Sequence, residues 1–246
     1  MARFLKHIGC ERCGSSDARA VYDDGSSFCF SCRKPTGSKV SGYVASSLRP
    51  DAEEETKVVL PSDVTQNYPE HAVAWCNKYD ITVEQMLQNN MVYSKWKDQL
   101  IFTWYDDSNK LLAYQARNLN AVSKAKRYYT CGDVNNLLPI YPCRSGSINA
   151  RRLVLVEDCL SAIKISYTEG LGCSSMPLLG SGISRTKLSR LRPFYDLLDV
   201  FLDPDMWHKS LNIVKQAQML GFQARAVQSD RDPKEHDYLS LTELLK

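Results

Sequence analysis

Nowhere in this chain of 246 residues does an apolar run approach the roughly 18 consecutive residues that a membrane-spanning helix requires. That excludes a helical membrane span. An apolar signal core is also missing from the opening Met1-Ala-Arg-Phe-Leu-Lys-His7, so a soluble protein in a reducing, cytoplasmic compartment is expected. Its nine cysteines are accordingly expected as thiols. Excess charge of one sign is lacking too: a formal net charge of +3 is too small for the whole-molecule field to imply a polyanionic partner. Any such role must come from local clusters. No phosphate loop of the form G-x-x-x-x-G-K-[ST] occurs, which excludes the ATP-driven motors built on it. Internal repeats are absent. What is present, 43% hydrophobic residues, suffices for one ordinary globular domain and a smaller module.

The order of segments is informative. Residues 1–36 carry four cysteines but no long apolar run, so this module needs a staple other than a core. Residues 37–63, within TGSKVSGYVASSLRPDAEEETKVVLPSD, are rich in Ser, Gly and charge and are expected to be a flexible linker. Residues 64–150 open with PEHAVAWCNKYD and ITVEQMLQNN, whose apolar residues recur three and four apart, as in a helical hairpin. LIFTWY and LLAYQAR then flank the turn signal Asp106-Asp-Ser-Asn109 and predict a β-hairpin. Over residues 151–246, strand-like runs (RRLVLVE, GCSSMPLL, DLLDVFLD, FQARAV) alternate with helical ones. Alternation of this kind predicts an α/β fold, within an α+β whole, and a mostly parallel sheet. In such sheets function gathers at the carboxyl ends of the strands.

Cys10-x-x-Cys13 and Cys29-x-x-Cys32, separated by fifteen residues, have the spacing of a four-cysteine zinc ribbon. One structural Zn²⁺ is expected, because thiolates on two knuckles reach one tetrahedral ion and its binding folds a module too small to fold by burial. The remaining cysteines, Cys76, Cys131, Cys143, Cys159 and Cys173, stand singly and are expected to pack. Around the knuckles, Arg12, Arg33 and Lys34 are interleaved with Tyr22, Phe28 and Phe30. Cations that neutralise phosphates beside rings that stack on unpaired bases suit single-stranded nucleic acid. The same aromatics would also serve to pack a small sheet.

Leu153-Val-Leu-Val156 ends in Glu157, and Val200-Phe-Leu202 ends in Asp203 and Asp205. If the two strands are neighbours, three carboxylates converge, a hard-oxygen set that suits Mg²⁺. Helix capping is the alternative for Asp205, but only one of the two aspartates flanking Pro204 can cap.

Strand-Glu157 followed by strand-Asp203-x-Asp205 on an alternating α/β unit resembles the Toprim domain shared by primases, topoisomerases and some nucleases. With the ribbon in front, the linker, and the block KDQLIFTWYDDSNKLLAYQARNLNAVSKAKRYYTCG, the chain is similar to the primase half of the bifunctional primase-helicases of short-tailed bacteriophages. The resemblance runs from His7 through RDPKEH, nearly the whole chain. It implies a DNA-directed RNA polymerase that makes short oligoribonucleotide primers from ribonucleoside triphosphates on single-stranded DNA, with the ribbon selecting the template site through Arg12, Tyr22, Phe28, Arg33 and Lys34. Glu157, Asp203 and Asp205 would hold one or two Mg²⁺, with Mn²⁺ as a substitute. Lys126, Arg117 and Lys209 match positions that contact nucleotide, and Asp232 matches a downstream catalytic aspartate; Lys124 and Arg127 are further basic candidates. Replicative helicase and DNA polymerase would be separate partners, in the host cytoplasm if the chain is phage-encoded.

Two departures from the family pattern stand out. Ser161 occupies a place usually held by an acid, with Asp158 nearby as a substitute charge. Trp207 and His208 replace small residues after the acidic pair, and their rings are expected to crowd the cleft. Other readings are a Toprim nuclease and a single-stranded DNA-binding accessory protein without catalysis.

Overall fold

The computed structural model describes residues 3–32, 34–35, 58–120, 127–134, 136–144, 151–180 and 182–246. Arg33, Lys124 and Lys126, and the side chain of Lys34, lie outside the described residues. The chain divides into two compact units, Met1–Thr56 and Lys57–Lys246.

In the first unit four short strands, β1 (Phe4–Ile8), β2 (Arg19–Tyr22), β3 (Ser27–Cys29) and β4 (Lys34–Pro35), form an antiparallel sheet in sequence order. Its turn between β2 and β3 is made by Asp24, whose carboxylate accepts from the Ser26 amide at 2.9 Å, and by Gly25 in the left-handed region (φ 79). The buried apolar residues described here are only Cys10, Ala20, Val21 and Cys29. Burying a valine-sized side chain contributes about 1.5–3 kcal/mol. So few side chains leave the ordering entropy of the unit unopposed, as the sequence implied.

The second unit holds two sheets. An antiparallel one runs β5 (Val64–Thr65), β6 (Val92–Ser94), β7 (Gln99–Tyr105), β8 (Leu111–Asn118) and β9 (Tyr128–Gly132), again in sequence order. Between β5 and β6 lies the expected helical hairpin, α1 (Glu70–Asn77) and α2 (Val83–Gln88), the latter opened by a reciprocal Thr82–Gln85 capping box. Asp106 closes the β7–β8 turn by accepting from the Ser108 and Lys110 amides, with Asn109 in the left-handed region. Residues 58–63 differ from their reading as linker. Val58 and Leu60 pack against Ile101, Tyr114 and Ala116, and the Asp63 carboxylate accepts from the Trp96 amide at 2.8 Å.

The second sheet is parallel, in the order β11 (Ser174–Pro177), β10 (Arg152–Val156), β12 (Leu197–Val200), β13 (Gln223–Ala226). Helices α3 (Cys159–Tyr167), α4 (Arg185–Leu191) and α5 (Trp207–Met219) connect the strands, and α6 (Tyr238–Leu244) closes the chain. Alternate residues of β10 face different partners. Leu153 and Leu155 pack with Leu188, Val200 and Ile213, whereas Val154 and Val156 pack with Ile163 of α3 and with Phe102 and Trp104 of the antiparallel sheet. This explains why β10 reads as an unbroken apolar run. Both sheets thereby share a core, and the carboxyl ends of β10 and β12 come to lie beside β8 and β9. Among the described residues no helix is long and apolar enough to cross a membrane.

Candidate active site

Strands β10 and β12 are parallel neighbours, with Leu155 opposite Val200 and the Phe201 amide donating to Leu155 O at 2.8 Å. Residues leaving the two strands therefore emerge side by side. Glu157 follows β10; Asp203 precedes a single 3-10 turn, Pro204–Met206, that contains Asp205. All three border a cleft of about 800 Å³ whose other wall carries Gln115, Arg117 and Tyr128 from β8 and β9. Neither carboxylate serves as a cap: Asp203 stands at the N-cap position of the 3-10 turn without a side-chain cap bond, and the N-cap position of α5 is Met206, also without one. The capping alternative is thus removed.

Among the described residues three side-chain polar atoms are buried without a hydrogen-bond partner: Glu157 Oε2, Asp203 Oδ1 and Arg117 Nε. All three belong to residues lining this cleft. Orphaned buried polar atoms cost of the order of 1–3 kcal/mol each, more when charged, and native structures carry few. Burial pushes Asp203 up to about 7, against the pull of Lys234 and with further upward pressure from Asp232, Glu157 and Asp158. Glu157 is raised by burial as well, with Lys209 opposing and Asp158 and Asp205 adding to the rise. Two carboxylates that resist ionisation beside an open cleft fit a cation, and hard oxygens fit Mg²⁺. Their oxygens do not form a closed cage. Among the described residues only the cysteine quartet brings three or more candidate ligand atoms within 4.8 Å of one another.

Arg117 contacts two rings, its guanidinium carbon 5.3 Å from the centroid of Trp75 and 4.9 Å from that of Tyr128. Two cation–π contacts restrain the planar fork. Arg127 also lines the cleft. Lys209, by contrast, does not line it, although its charge reaches Glu157.

Sequence reading missed Lys234. Its ammonium donates to Asp158 Oδ2 at 2.9 Å and to Asp232 Oδ2 at 2.7 Å, with only 13% of its side chain exposed. Burial opposes this charge, and the carboxylates outweigh it, so the lysine is held protonated with a raised pKa. Beneath it, the fully buried Lys164 donates to Lys234 O at 3.1 Å and to Asp80 at 2.8 Å. A signal did exist: a lysine two residues after Asp232, with proline fixing the backbone between them.

Both departures noted in the sequence are resolved by geometry. Asp158 is no free substitute acid, because it caps α3 through the Leu160 and Ser161 amides, accepts from Ser161 Oγ at 3.1 Å, and is paired with Lys234. Trp207 and His208 do not crowd the cleft. The 3-10 turn carries the chain past the acids, so that Pro204, Asp205 and Met206 line the space and the two rings fall beyond it.

In the other unit the sulfurs of Cys10, Cys13, Cys29 and Cys32 lie within 4.8 Å of one another, the Cys13–Cys29 pair at 3.7 Å. Tetrahedral zinc with bonds of about 2.3 Å sets sulfurs about 3.8 Å apart, so the quartet fits that ion. The Cys13 amide is the main influence drawing Cys10 down to about 7. Phe28 is half-buried and Phe30 is 57% exposed, their centroids 5.2 Å apart, and His7 links Phe30 to Phe4 at 6.2 and 4.9 Å. Phe4 in turn meets Tyr22 at 6.2 Å. These rings form a continuous, partly exposed row rather than a sealed core. Arg12 is exposed, while Arg19 is buried on Ser27.

No family model matches the sequence. Among solved structures, the primase fragment of the bacteriophage T7 primase-helicase protein superposes with a TM-score of 0.52 at 17% identity, covering 98% of each chain. The fold is one shared with DNA primases. A DnaG primase catalytic domain bound to single-stranded DNA gives a TM-score of 0.55 at 11% identity over 73% of this chain and 72% of that one. The RNA polymerase domain of Mycobacterium tuberculosis primase DnaG, in complex with double-stranded DNA, also gives 0.55 at 11% identity, over 72% and 73% of the chains. At these identities the likeness is one of fold.

Proposed function

We propose that this chain is a DNA primase of the zinc-ribbon and Toprim type, making short RNA primers on single-stranded DNA from ribonucleoside triphosphates. The observation that carries the reading is the set of orphaned polar atoms: the unpaired carboxylate oxygens of Glu157 and Asp203 and the unpaired guanidinium nitrogen of Arg117 all belong to residues that line one cleft. That is a place for a divalent ion and a polyphosphate together. Glu157, Asp203 and Asp205 would hold the ion, which supplies charge neutralisation at the phosphoryl centre when bound. Arg117, restrained by its contacts with Trp75 and Tyr128, and Arg127 bind phosphate oxygens of the incoming triphosphate, and Lys126 joins them by its match to the family. The 3′-hydroxyl of one nucleotide then attacks the α-phosphate of the next and pyrophosphate leaves. Lys234 pairs with Asp158 and Asp232 and its charge opposes the rise that these two acids impose on Asp203.

Incubating the protein with single-stranded DNA, ribonucleotides and Mg²⁺ tests the reading. Oligoribonucleotides are the expected product. Cleaved DNA would replace it with the nuclease reading, and no product with the accessory-protein reading.

The cysteine quartet is assigned one structural Zn²⁺, and the ring row with Arg12, Arg33 and Lys34 is assigned to the template. With four buried apolar residues among the described ones, the first unit is expected to unfold when a chelator removes its metal, since structural zinc contributes on the order of 10 kcal/mol. The second unit should keep its fold. Its primers would then start without template preference, and unchanged start-site choice after chelation, verified by loss of bound zinc, would refute this assignment.

A further inference from the structure

Trp96 is 84% exposed, more than any other large hydrophobic side chain among the described residues. It sits in the turn between β6 and β7, flanked by the exposed Lys95 and Lys97. Scattered exposed leucines need no explanation, but a tryptophan turned wholly to water does. Two carboxylates pin its turn. Asp63 accepts from the Trp96 amide at 2.8 Å and from Ser94 Oγ at 3.0 Å. Asp98, in the left-handed region at φ 48, accepts from the Tyr93 hydroxyl at 2.6 Å and has His71 Nε2 at 2.7 Å. Its backbone carbonyl accepts from the Leu119 amide at 3.0 Å. Residues from before β5, from α1 and from the end of β8 thus converge on one short turn.

The position of that turn is also defined. Gln99, which begins β7, is opposite Asn118, Leu100 is opposite Arg117, and Arg117 is opposite Tyr128. The tip therefore projects from the strand ends at which Arg117 and Tyr128 border the cleft. We propose that Lys95-Trp96-Lys97 is a docking point for single-stranded DNA on its way past the cleft, with the indole stacked on an unpaired base and the two ammonium groups on the flanking phosphates. A flat ring between two cations matches the alternation of base and phosphate along an unpaired strand, and a preset turn avoids the entropy of ordering it on binding. The inference rests on the primase reading and names where its template runs.

Fluorescence anisotropy of a labelled oligonucleotide with the full zinc-bound chain provides the test, with a duplex of equal length as a second arm. Trp96→Ala is expected to weaken single-strand binding about 5- to 150-fold, the range for loss of one base stack, and Trp96→Phe to restore most of it. Lys95→Gln with Lys97→Gln should lower the slope of log affinity against log salt by about 1.4, two single-strand phosphates' worth. Full single-strand affinity in Trp96→Ala would overturn the docking point and leave the primase reading standing. Equal losses on duplex and single strand would also overturn it, since stacking requires an unpaired base. Absence of any DNA binding by the unaltered chain would remove both.

Discussion

Asp203→Asn is expected to reduce primer synthesis about a thousandfold while making the magnesium-free protein more stable. The loss follows from removing one of the two unpaired carboxylate oxygens from the cleft, and electrostatic groups at a phosphoryl centre account for factors of about 100 to 1,000 each. The gain has the opposite sign for the same reason. Burial raises the folded-state pKa of Asp203 from 3.8 to about 7, so between those values the native state holds a proton that the unfolded chain releases. Stability then falls as pH rises from about 4 to about 7, and above 7 the full penalty is present. Allowing for screening by solvent at a half-buried group, the penalty is on the order of 2 kcal/mol. Asparagine does not titrate and leaves no buried charge. Thermal melts at pH 5 and pH 8 without magnesium should show the unaltered protein losing stability across the interval and Asp203→Asn losing less. Adding magnesium should stabilise the former by mass action and leave the latter nearly unchanged. Equal pH slopes for the two proteins would mean that Asp203 is not the strained acid of the cleft.

The fold was legible where one physical rule dominates. Unbroken apolar runs such as Leu153–Val156 announce a strand buried on both faces, and that is how β10 is placed between two layers. Asp106 and Asn109 are turn chemistry that needs no tertiary context. Glu157, Asp203 and Asp205 could be singled out because strand ends converge when the strands are neighbours, as β10 and β12 are. What could not be read depends on who stands next to whom. Lys234 was not singled out, because nothing local says that Asp158, 76 residues earlier, points at it. Asp158 itself looked available, although its oxygens are taken up by the first turn of α3. Trp207 looked obstructive because a 3-10 turn of three residues, which rotates the chain differently from an α-helical start, is invisible in side-chain type. The linker reading ran too far for a related reason: Val58 and Leu60 lie at the end of a polar stretch, and only the buried cluster of Ile101, Tyr114 and Ala116 gives them something to pack against.

Lys234→Met is expected to lower stability more than any other single change in the cleft. Methionine keeps most of the stem and removes the ammonium, so the effect isolates charge. Removing one member of a buried ion pair costs about 3–5 kcal/mol, because the partner is left charged in a poor solvent. Here two partners are left, Asp158 with 11% of its side chain exposed and Asp232 with 29%. Asp158 is the more costly, since it is the more buried of the two and its first oxygen is held in place by the Leu160 and Ser161 amides that it caps. Lys234→Arg retains the charge and should recover part of the loss, limited by the backbone beneath, which Lys164 holds in place. Urea titrations of the three proteins measure this, and adding Asp158→Asn to Lys234→Met should restore stability, because asparagine still caps and no longer repels. If the double variant were instead less stable than Lys234→Met by the full cost of Asp158→Asn alone, the two residues would not be coupled. The Lys234–Asp158 contact would then add nothing to stability, and Lys234 would not be the cation that offsets Asp158 and Asp232 beside Asp203.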